Sequence, residues 1–157
     1  LLLAGLGALA AFVTLRALFR EYQVHINVDL CFQDFETELA NVEQIYAAPR
    51  GAAFLARVVG AEDRAAVACV ALKLLEPTIC EMKRLYVRPE HRRASLGRAL
   101  VAACVRRARE LGYVRMRLDT LASMTAAQTL YQSLGFVVIE PYYHNPHPET
   151  CFMERRL

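Results

Sequence analysis

The sequence lacks the patterns that mark metal and disulfide sites. Its five cysteines include no C-x-x-C pair, and its four histidines stand at no metal-ligand spacing with one another or with the cysteines. Cys69 and Cys104 lie inside apolar runs, where free cysteine packs as a small hydrophobe. We therefore expect reduced core thiols and a cytoplasmic location, and we expect no bound metal. A reactive cysteine is the less favoured alternative.

A hydrophobic run long enough to span a membrane is also lacking. Residues 1–13 are apolar apart from glycines, whereas a spanning helix needs about 20 such residues. No basic residues precede the run, as they would in a secretory signal. We expect no membrane partner. Because the sequence does not begin with Met, it does not decide whether a targeting segment lies upstream.

Strong net charge is a third feature that the sequence does not have. The formal charge is +3, but residues 83–117 hold eleven basic and two acidic side chains, and residues 21–63 hold two basic and eight acidic ones. One half thus suits an anion and the other a cation, unless both are ordinary solvated faces. The basic residues are divided among strand, loop and helix without interleaved aromatic residues, so we expect no nucleic acid partner.

What the chain does contain is enough apolar sequence for one packed core. Of its 157 residues, 55% are hydrophobic and 22% are charged. A chain of this length buries about two-thirds of its unfolded surface. We predict a single domain over residues 1–157.

The N-terminal half predicts two helices and a hairpin. Apolar residues at helical spacing run from Ala8 to Tyr22 and from Asp34 to Tyr46. Two β-like runs, Ala52 to Val59 and Ala66 to Leu75, flank a short polar connection and predict an antiparallel hairpin.

The C-terminal half alternates strands with helices. The predicted order is strand, helix, strand, helix and hairpin, over Ile79 to Val87, Gly97 to Leu111, Tyr113 to Asp119, Thr125 to Leu134, Phe136 to Glu140 and Thr150 to Arg156. Thr125 and Gln128 have capping-box spacing. The first strand–helix–strand unit implies a right-handed parallel crossover. We predict an α/β (α+β) fold: a mixed, mostly antiparallel twisted sheet with a central parallel crossover and helices on both faces.

The first strand of that unit changes phase partway along. Cys80 and Met82 occupy even positions, whereas Leu85 and Val87 occupy odd ones. A strict period of two would expose one of these sets, so a β-bulge near Lys83-Arg84 is the simplest way to bury both. A bulge leaves backbone groups unpaired, and such groups can bind a ligand.

A basic loop, Arg92-Arg93-Ala94-Ser95-Leu96-Gly97-Arg98, separates that strand from the next helix. A loop that opens a helix presents free backbone N–H groups and the positive end of the helix dipole. With arginines around it, the loop suits a pyrophosphate. An ordinary basic, solvent-exposed turn is the alternative.

Three segments, in this order, resemble the GNAT superfamily of N-acetyltransferases: Glu81 to Pro89, Arg92 to Leu100 and Ala127 to Phe136. The resemblance covers about Ala52 to Leu157, and Arg16 to Tyr22 is similar to the family's first helix. It implies acetyl-CoA as co-substrate. The pyrophosphate would lie on the backbone amides of the basic loop, and the pantetheine would pair with the strand at Leu85, Tyr86 and Val87.

Two positions depart from the family pattern. Ser95 stands where relatives usually have glycine, and its side chain would either crowd the phosphate or donate a hydroxyl to it. Met124 stands where many relatives have asparagine, so one hydrogen bond to the coenzyme is missing. Coenzyme affinity is the property that these departures affect.

Acyl transfer to an amine needs a base for the attacking nitrogen and an acid for the departing thiolate. Glu81 is the candidate base, acting through water, and the resemblance supports a carboxylate there. The resemblance implies Tyr131 as the acid beside the coenzyme sulfur. The alternatives are a strand-surface glutamate paired with Lys83 or Arg117, and an ordinary core tyrosine.

The expected reaction moves an acetyl group from acetyl-CoA directly to a primary amine of a small molecule or a protein. Four residues are candidates for contacting the substrate because we expect them near the mouth of the site: Asp119, Tyr142, Tyr143 and His144. A non-catalytic acyl-CoA-binding module is the alternative function. A homodimer stays open.

Overall fold

Residues 8–58, 65–92 and 95–157 are described by a computed structural model of the chain. The helices are α1 Ala8–Ile26, α2 Phe35–Ala40, α3 Val42–Tyr46, α4 Leu96–Glu110 and α5 Thr125–Ser133. The strands are β1 Ala52–Arg57, β2 Ala66–Glu76, β3 Ile79–Val87, β4 Arg115–Leu121, β5 Val137–Ile139 and β6 Thr150–Arg156. None of these helices is long and apolar enough to cross a bilayer.

The strands form one sheet in the order β1-β2-β3-β4-β6-β5. Neighbouring strands run antiparallel except β3 and β4, which are connected through α4 and run parallel. The predicted mixed, mostly antiparallel sheet with a central parallel crossover is therefore confirmed. The polar connection predicted between β1 and β2 falls on residues 59–64, which lie outside the described residues.

Apolar side chains on the two faces of the sheet pack against different helices. One face is covered by α4 and α5, and its core includes the predicted α4 stripe of Leu100, Val101, Cys104, Val105 and Ala108. The other face is covered by the three N-terminal helices, which bury Leu15, Leu18, Phe19, Phe35, Leu39, Val42 and Tyr46. Helices on both faces are confirmed.

β3 carries the predicted bulge. Lys83 pairs with Ala71 and Tyr86 pairs with Cys69, so three steps along β3 match two steps along β2. Arg84 lies within this irregularity at a φ of 57°, a left-handed conformation that costs a non-glycine residue roughly 1–2 kcal/mol. Cys80 and Met82 before the bulge and Leu85 and Val87 after it all pack into the core under α4, as their change of phase predicts.

β3 and β4 separate just before the bulge. Their parallel pairing runs from Ile79 opposite Arg115 to Glu81 opposite Arg117 and ends there. Beyond this point β3 still pairs with β2 on its other side. A gap therefore opens between two adjacent strands in the middle of the sheet.

A buried ion pair holds the bulge to α2. Arg84 donates from Nε and Nη2 to the two carboxylate oxygens of Glu38, at 3.1 and 2.5 Å, and the Tyr46 hydroxyl donates to the same carboxylate. Burial alone would raise the pKa of Glu38, but its bonds to Arg84 and Tyr46 and the arginine charge outweigh burial and lower it. The stabilisation is therefore present above the ordinary carboxyl pKa and is lost as the pH falls through the lowered value.

The helix predicted from Asp34 to Tyr46 is two helices, and that prediction was wrong. Asn41 separates them because its backbone leaves the helical conformation, with φ −111° and ψ 24°, and its side-chain amide donates to the Thr37 carbonyl at 2.8 Å. The first helix continues past its predicted end at Tyr22 to Ile26.

The predicted capping box at Thr125 does not form. Met124 is the N-cap residue of α5, and no side chain caps this end. The Gln128 amide donates instead to the carbonyls of Leu121 and Ala122, at 2.9 and 3.1 Å. Gln128 therefore fixes the β4–α5 connection rather than the first turn of the helix.

Replacing Glu38 tests the buried ion pair. Glu38→Ala leaves the Arg84 guanidinium buried without its carboxylate, so we expect the free energy of unfolding to fall by about 3–5 kcal/mol. Glu36→Ala in the same helix is the matched control, because Glu36 pairs with Arg20 through side chains that are 67% and 58% exposed. It should cost less than about 1 kcal/mol. Equal losses in urea unfolding would contradict the assigned role of Glu38.

Candidate active site

The gap between β3 and β4 widens on one side into a groove of about 580 Å³, here called the basic groove. Its walls are the end of β3, the start of α4, the start of α5 and two side chains of α1. The predicted coenzyme residues that line it are Leu85, Tyr86, Val87, Arg92, Ser95, Leu96, Gly97 and Arg98. Arg93 and Ala94 were predicted with them but lie outside the described residues.

α1 supplies a basic-groove contact that the sequence did not indicate. Arg92 donates from Nε to the Val87 carbonyl at 3.0 Å, and its Nη2 lies 2.7 Å from Nε2 of His25. A guanidinium only donates hydrogen bonds, so the His25 ring nitrogen is the acceptor. Arg92 is thereby held across the groove mouth, between the end of β3 and the last turn of α1.

Ser95 and Gly97 shape the start of α4. Ser95 is the N-cap residue with a φ of 55°, in the left-handed region, and its side chain makes no capping hydrogen bond. This conformation explains why glycine suits the position. A Cβ on Gly97 would lie 3.3 Å from Cδ2 of Leu130, so the absence of a side chain lets the first turn of α4 approach α5 closely.

A constriction of about 30 Å³, here called the throat, lies within the gap between β3 and β4. It shares Leu85 with the basic groove, and its walls include Asp119 of β4 and Tyr131 of α5. Burial raises the pKa of Tyr131, and the neighbouring Tyr22 and Asp119 raise it further. Its hydroxyl is therefore protonated at neutral pH and can donate.

A second cavity, of about 410 Å³ and here called the polar cavity, shares Lys83 and Arg84 with the throat. Glu81 lies in it, with only 4% of the residue exposed. The Tyr142 hydroxyl donates to Glu81 Oε1 at 2.7 Å, and the ammonium groups of Lys73 and Lys83 lie 3.4 and 3.8 Å from its oxygens. Glu81 is therefore buried rather than on the surface, and of the two expected partners it pairs with Lys83, whereas Arg117 pairs with Glu76 and Glu154.

Asp119 lies beside the polar cavity in a denser network. It accepts hydrogen bonds from Lys83, Gln33 and the Tyr143 hydroxyl, each at 3.1 Å. Burial alone would raise the pKa of Asp119, but the Lys83 charge and these bonds outweigh burial and lower it. Burial alone would lower the pKa of Lys83, but the charges of Asp119 and Glu81 outweigh burial and raise it. Lys83 and Asp119 are therefore both ionised at neutral pH.

The structure brings three of the four predicted substrate residues together. Asp119, Tyr142 and Tyr143 lie within one hydrogen-bonded group that also contains Glu81. His144 is exposed and lines neither the throat nor the polar cavity. It follows the two tyrosines in the β5–β6 loop, where the rings of Tyr142 and Tyr143 both pack on Phe152.

The site also contains residues that the sequence analysis did not select. Gln33 follows α1 and reaches Asp119, and Lys73 of β2 reaches Glu81. Lys73 lies opposite Glu81 on the adjacent antiparallel strand, so the register of the β2–β3 hairpin could have indicated it, whereas no local spacing links Gln33 to Asp119. Among the described residues, no group of three or more His, Cys, Asp or Glu side chains could hold a metal ion.

Comparison with known proteins identifies the family. The model of the acetyltransferase (GNAT) family matches residues 12–136. The chain belongs to the GNAT family. An uncharacterised N-acetyltransferase of Schizosaccharomyces pombe is 44% identical over 139 residues, which are 88% of this chain and 83% of that protein. Human N-acetyltransferase 8 is 32% identical over 116 residues, which are 71% of this chain and 48% of that protein.

Solved structures share the GNAT fold with this chain. An acetyltransferase from Streptococcus agalactiae superposes with a TM-score of 0.74 at 21% identity, covering 93% of this chain and 91% of that one. The PaiA N-acetyltransferase from Thermoplasma acidophilum, solved in complex with coenzyme A, gives 0.67 at 17% identity, covering 93% and 92%.

As a GNAT acetyltransferase, the protein uses acetyl-CoA as co-substrate and acts on an acceptor that carries an amine. The basic groove fits this coenzyme in two ways. Arg92, Arg98 and the start of α4 face it with positive charge, which suits phosphate. Leu85, Val87 and Leu130 give it an apolar wall, which suits the pantetheine arm.

Substitution of Ser95 tests the left-handed start of α4. Ser95→Gly should be more stable than Ser95→Ala by about 1 kcal/mol, because only glycine escapes the Cβ penalty at this φ. Urea unfolding of the two variants measures the difference. The matched control is Ser133, within α5, where alanine should be more stable than glycine. A preference for alanine at both positions would contradict the conformation of Ser95.

Proposed function

We propose that the protein transfers an acetyl group from acetyl-CoA directly to the primary amine of a small molecule that binds in the polar cavity. Glu81 is the base and Tyr131 is the acid. The observation that carries this proposal is the series of three spaces through one gap in the sheet. The basic groove, the throat and the polar cavity share lining residues from one to the next.

The shared residues define the direction of transfer. A coenzyme in the basic groove would bring its acyl end to the throat, since Leu85 lines both spaces. An amine in the polar cavity would approach the same point from the opposite side, past Lys83 and Arg84. Two reactants that meet at one constriction can react without a covalent enzyme intermediate.

Acetyl-CoA supplies the activated thioester carbonyl, and the side chains manage the protons. Glu81 accepts, through water, the proton that the amine nitrogen loses as it bonds to the carbonyl carbon. Tyr131 donates its hydroxyl proton to the sulfur as the carbon–sulfur bond breaks. The proton on Glu81 then passes to solvent, and Tyr131 regains one, so the overall transfer is balanced.

Glu81 is a better candidate base than Asp119. The Asp119 carboxylate accepts three hydrogen bonds and has a lowered pKa, and both features weaken it as a proton acceptor. Glu81 accepts one hydrogen bond, from Tyr142, and its second oxygen faces Lys73 at 3.4 Å. Lone pairs on Glu81 thus remain for a water molecule.

The size of the polar cavity favours a small acceptor over a protein. Its volume of about 410 Å³ lies within the range of small-molecule pockets. Tyr142 and Tyr143, from the β5–β6 loop, form one side of it. We include a cytoplasmic location in the proposal, because all five cysteines are free thiols.

Kinetic variants test the two proton-transfer roles. We expect Tyr131→Phe and Glu81→Gln each to lower kcat by about a hundredfold or more, which is typical for loss of a general acid or base. Release of CoA thiol from acetyl-CoA, with a panel of small primary amines, measures the rate. Glu76→Gln is the control for Glu81, because Glu76 is a half-exposed partner of Arg117 at the end of β2 and should leave kcat unchanged.

The outcomes separate the roles and the acceptor class. Full activity in Tyr131→Phe would remove Tyr131 as the acid. Full activity in Glu81→Gln would remove Glu81 as the base. Turnover with lysine peptides but with no small amine would contradict the small acceptor. Coenzyme binding without any acceptor would favour a non-catalytic acyl-CoA-binding module.

A further inference from the structure

Tyr22 of α1 faces the throat from the side of the sheet opposite Tyr131. Tyr131 belongs to the core under α4 and α5, whereas Tyr22 packs against the core under the N-terminal helices. Both side chains line the throat, and Tyr22 also lines the basic groove. The gap between β3 and β4 is what lets two tyrosines from opposite faces reach one small space.

The Tyr22 ring is held in place by its neighbours. It packs edge-on against Tyr86 at a centroid distance of 6.3 Å, and the Arg84 guanidinium lies 5.9 Å from its ring centre. Arg84 is itself fixed by Glu38. The ring position therefore depends on the bulge, and the hydroxyl has little freedom to leave the throat.

Neither throat tyrosine uses its hydroxyl within the described part of the chain. No described residue hydrogen-bonds to the hydroxyl of Tyr22 or of Tyr131, although the structure assigns partners to the hydroxyls of Tyr46, Tyr113, Tyr142 and Tyr143. No fully buried side-chain oxygen or nitrogen among the described residues is without a partner. The two free hydroxyls therefore open onto the cavity rather than being sealed in the core.

Burial raises the pKa of Tyr22, and the charges of Asp119 and Glu38 raise it further against the opposing effect of Arg84 and Lys83. Tyr22 is therefore a protonated donor at neutral pH, as Tyr131 is. A carbonyl oxygen that gains negative charge during attack is stabilised by donors already in place around it. The throat provides Tyr22 as such a donor, on the wall opposite Tyr131.

We propose that Tyr22 is a further catalytic residue, whose hydroxyl donates a hydrogen bond to the thioester carbonyl oxygen while Tyr131 serves the sulfur. The inference rests on the proposed acetyl transfer through the throat. Tyr22 transfers no proton, since its bond strengthens as charge builds on the oxygen and weakens again as the amide product forms. The assignment rests on position, because a thioester placed in the throat would meet Tyr22 on one side and Tyr131 on the other.

The infrared carbonyl band of bound acetyl-CoA tests this directly, with acetyl-CoA labelled with ¹³C at the carbonyl as the probe. A hydrogen bond from Tyr22 lowers the stretching frequency, so the band should lie at a higher frequency in Tyr22→Phe than in the unmodified protein. Tyr131→Phe should leave the band in place. Free CoA lacks the thioester carbonyl, so loss of the Tyr22 hydroxyl should leave the dissociation constant of free CoA unchanged. These measurements need no amine acceptor.

Tyr113→Phe is the control for loss of a tyrosine hydroxyl. Tyr113 donates to the Arg50 carbonyl at 2.6 Å and lines none of the three spaces. Its variant should lower Tm without moving the carbonyl band. Tyr22→Phe removes no bond to a described residue, so its Tm should stay unchanged. Once an acceptor is known, the kcat of Tyr22→Phe should be about a hundredfold below that of the unmodified protein, as for loss of one oxyanion donor.

Each outcome decides the inference. A carbonyl band at the same frequency in Tyr22→Phe and the unmodified protein would overturn it, whatever the acceptor is. A band that moves in Tyr22→Phe but not in Tyr131→Phe would support it even if no tested amine were acetylated. Absence of acetyl-CoA binding to the unmodified protein would overturn both the assignment of the basic groove to the coenzyme and this role for Tyr22.

Discussion

Arg84 lies in a left-handed backbone conformation inside a strand, and a buried carboxylate from α2 holds its guanidinium there. An unpaired buried arginine would be costly, so the bond to Glu38 and the bulge stabilise one another. The bulge accompanies the separation of β3 from β4 beyond Glu81. All three spaces of the site lie along that separation, and the Arg84 side chain lines two of them.

The charges around the polar cavity are balanced in pairs. Arg84 is matched with Glu38, Lys83 with Asp119 and Lys73 with Glu81. A site with matched charges and low dielectric disfavours an isolated ammonium ion and favours the neutral amine, which is the form that attacks a thioester. The acidic N-terminal stretch behaves in the same way, because Glu21 and Glu36 are paired with Arg88 and Arg20.

The spacing of apolar residues predicted those features of the fold and site that depend on one strand or one helix alone. The change of phase along β3 required a bulge, and the apolar stripe of α4 identified its buried face. Contacts that join distant segments carried no such signal: Tyr22 and Gln33 reach the site from the N-terminal helices, which no periodicity relates to β4. The helix break at Asn41 and the true cap at Met124 depend on competing hydrogen bonds that spacing alone does not resolve. The roles of Glu81 and Tyr131 remain predictions.

We propose above all that coenzyme and acceptor meet in the gap between β3 and β4, beside the bulge. A crystal structure with a non-reactive ketone analogue of acetyl-CoA tests it most directly. The account predicts phosphates at the start of α4, the arm along Leu85 to Val87, and the carbonyl in the throat between Tyr22 and Tyr131. An analogue bound in the basic groove with its acyl end outside the throat, or bound elsewhere on the molecule, would contradict it.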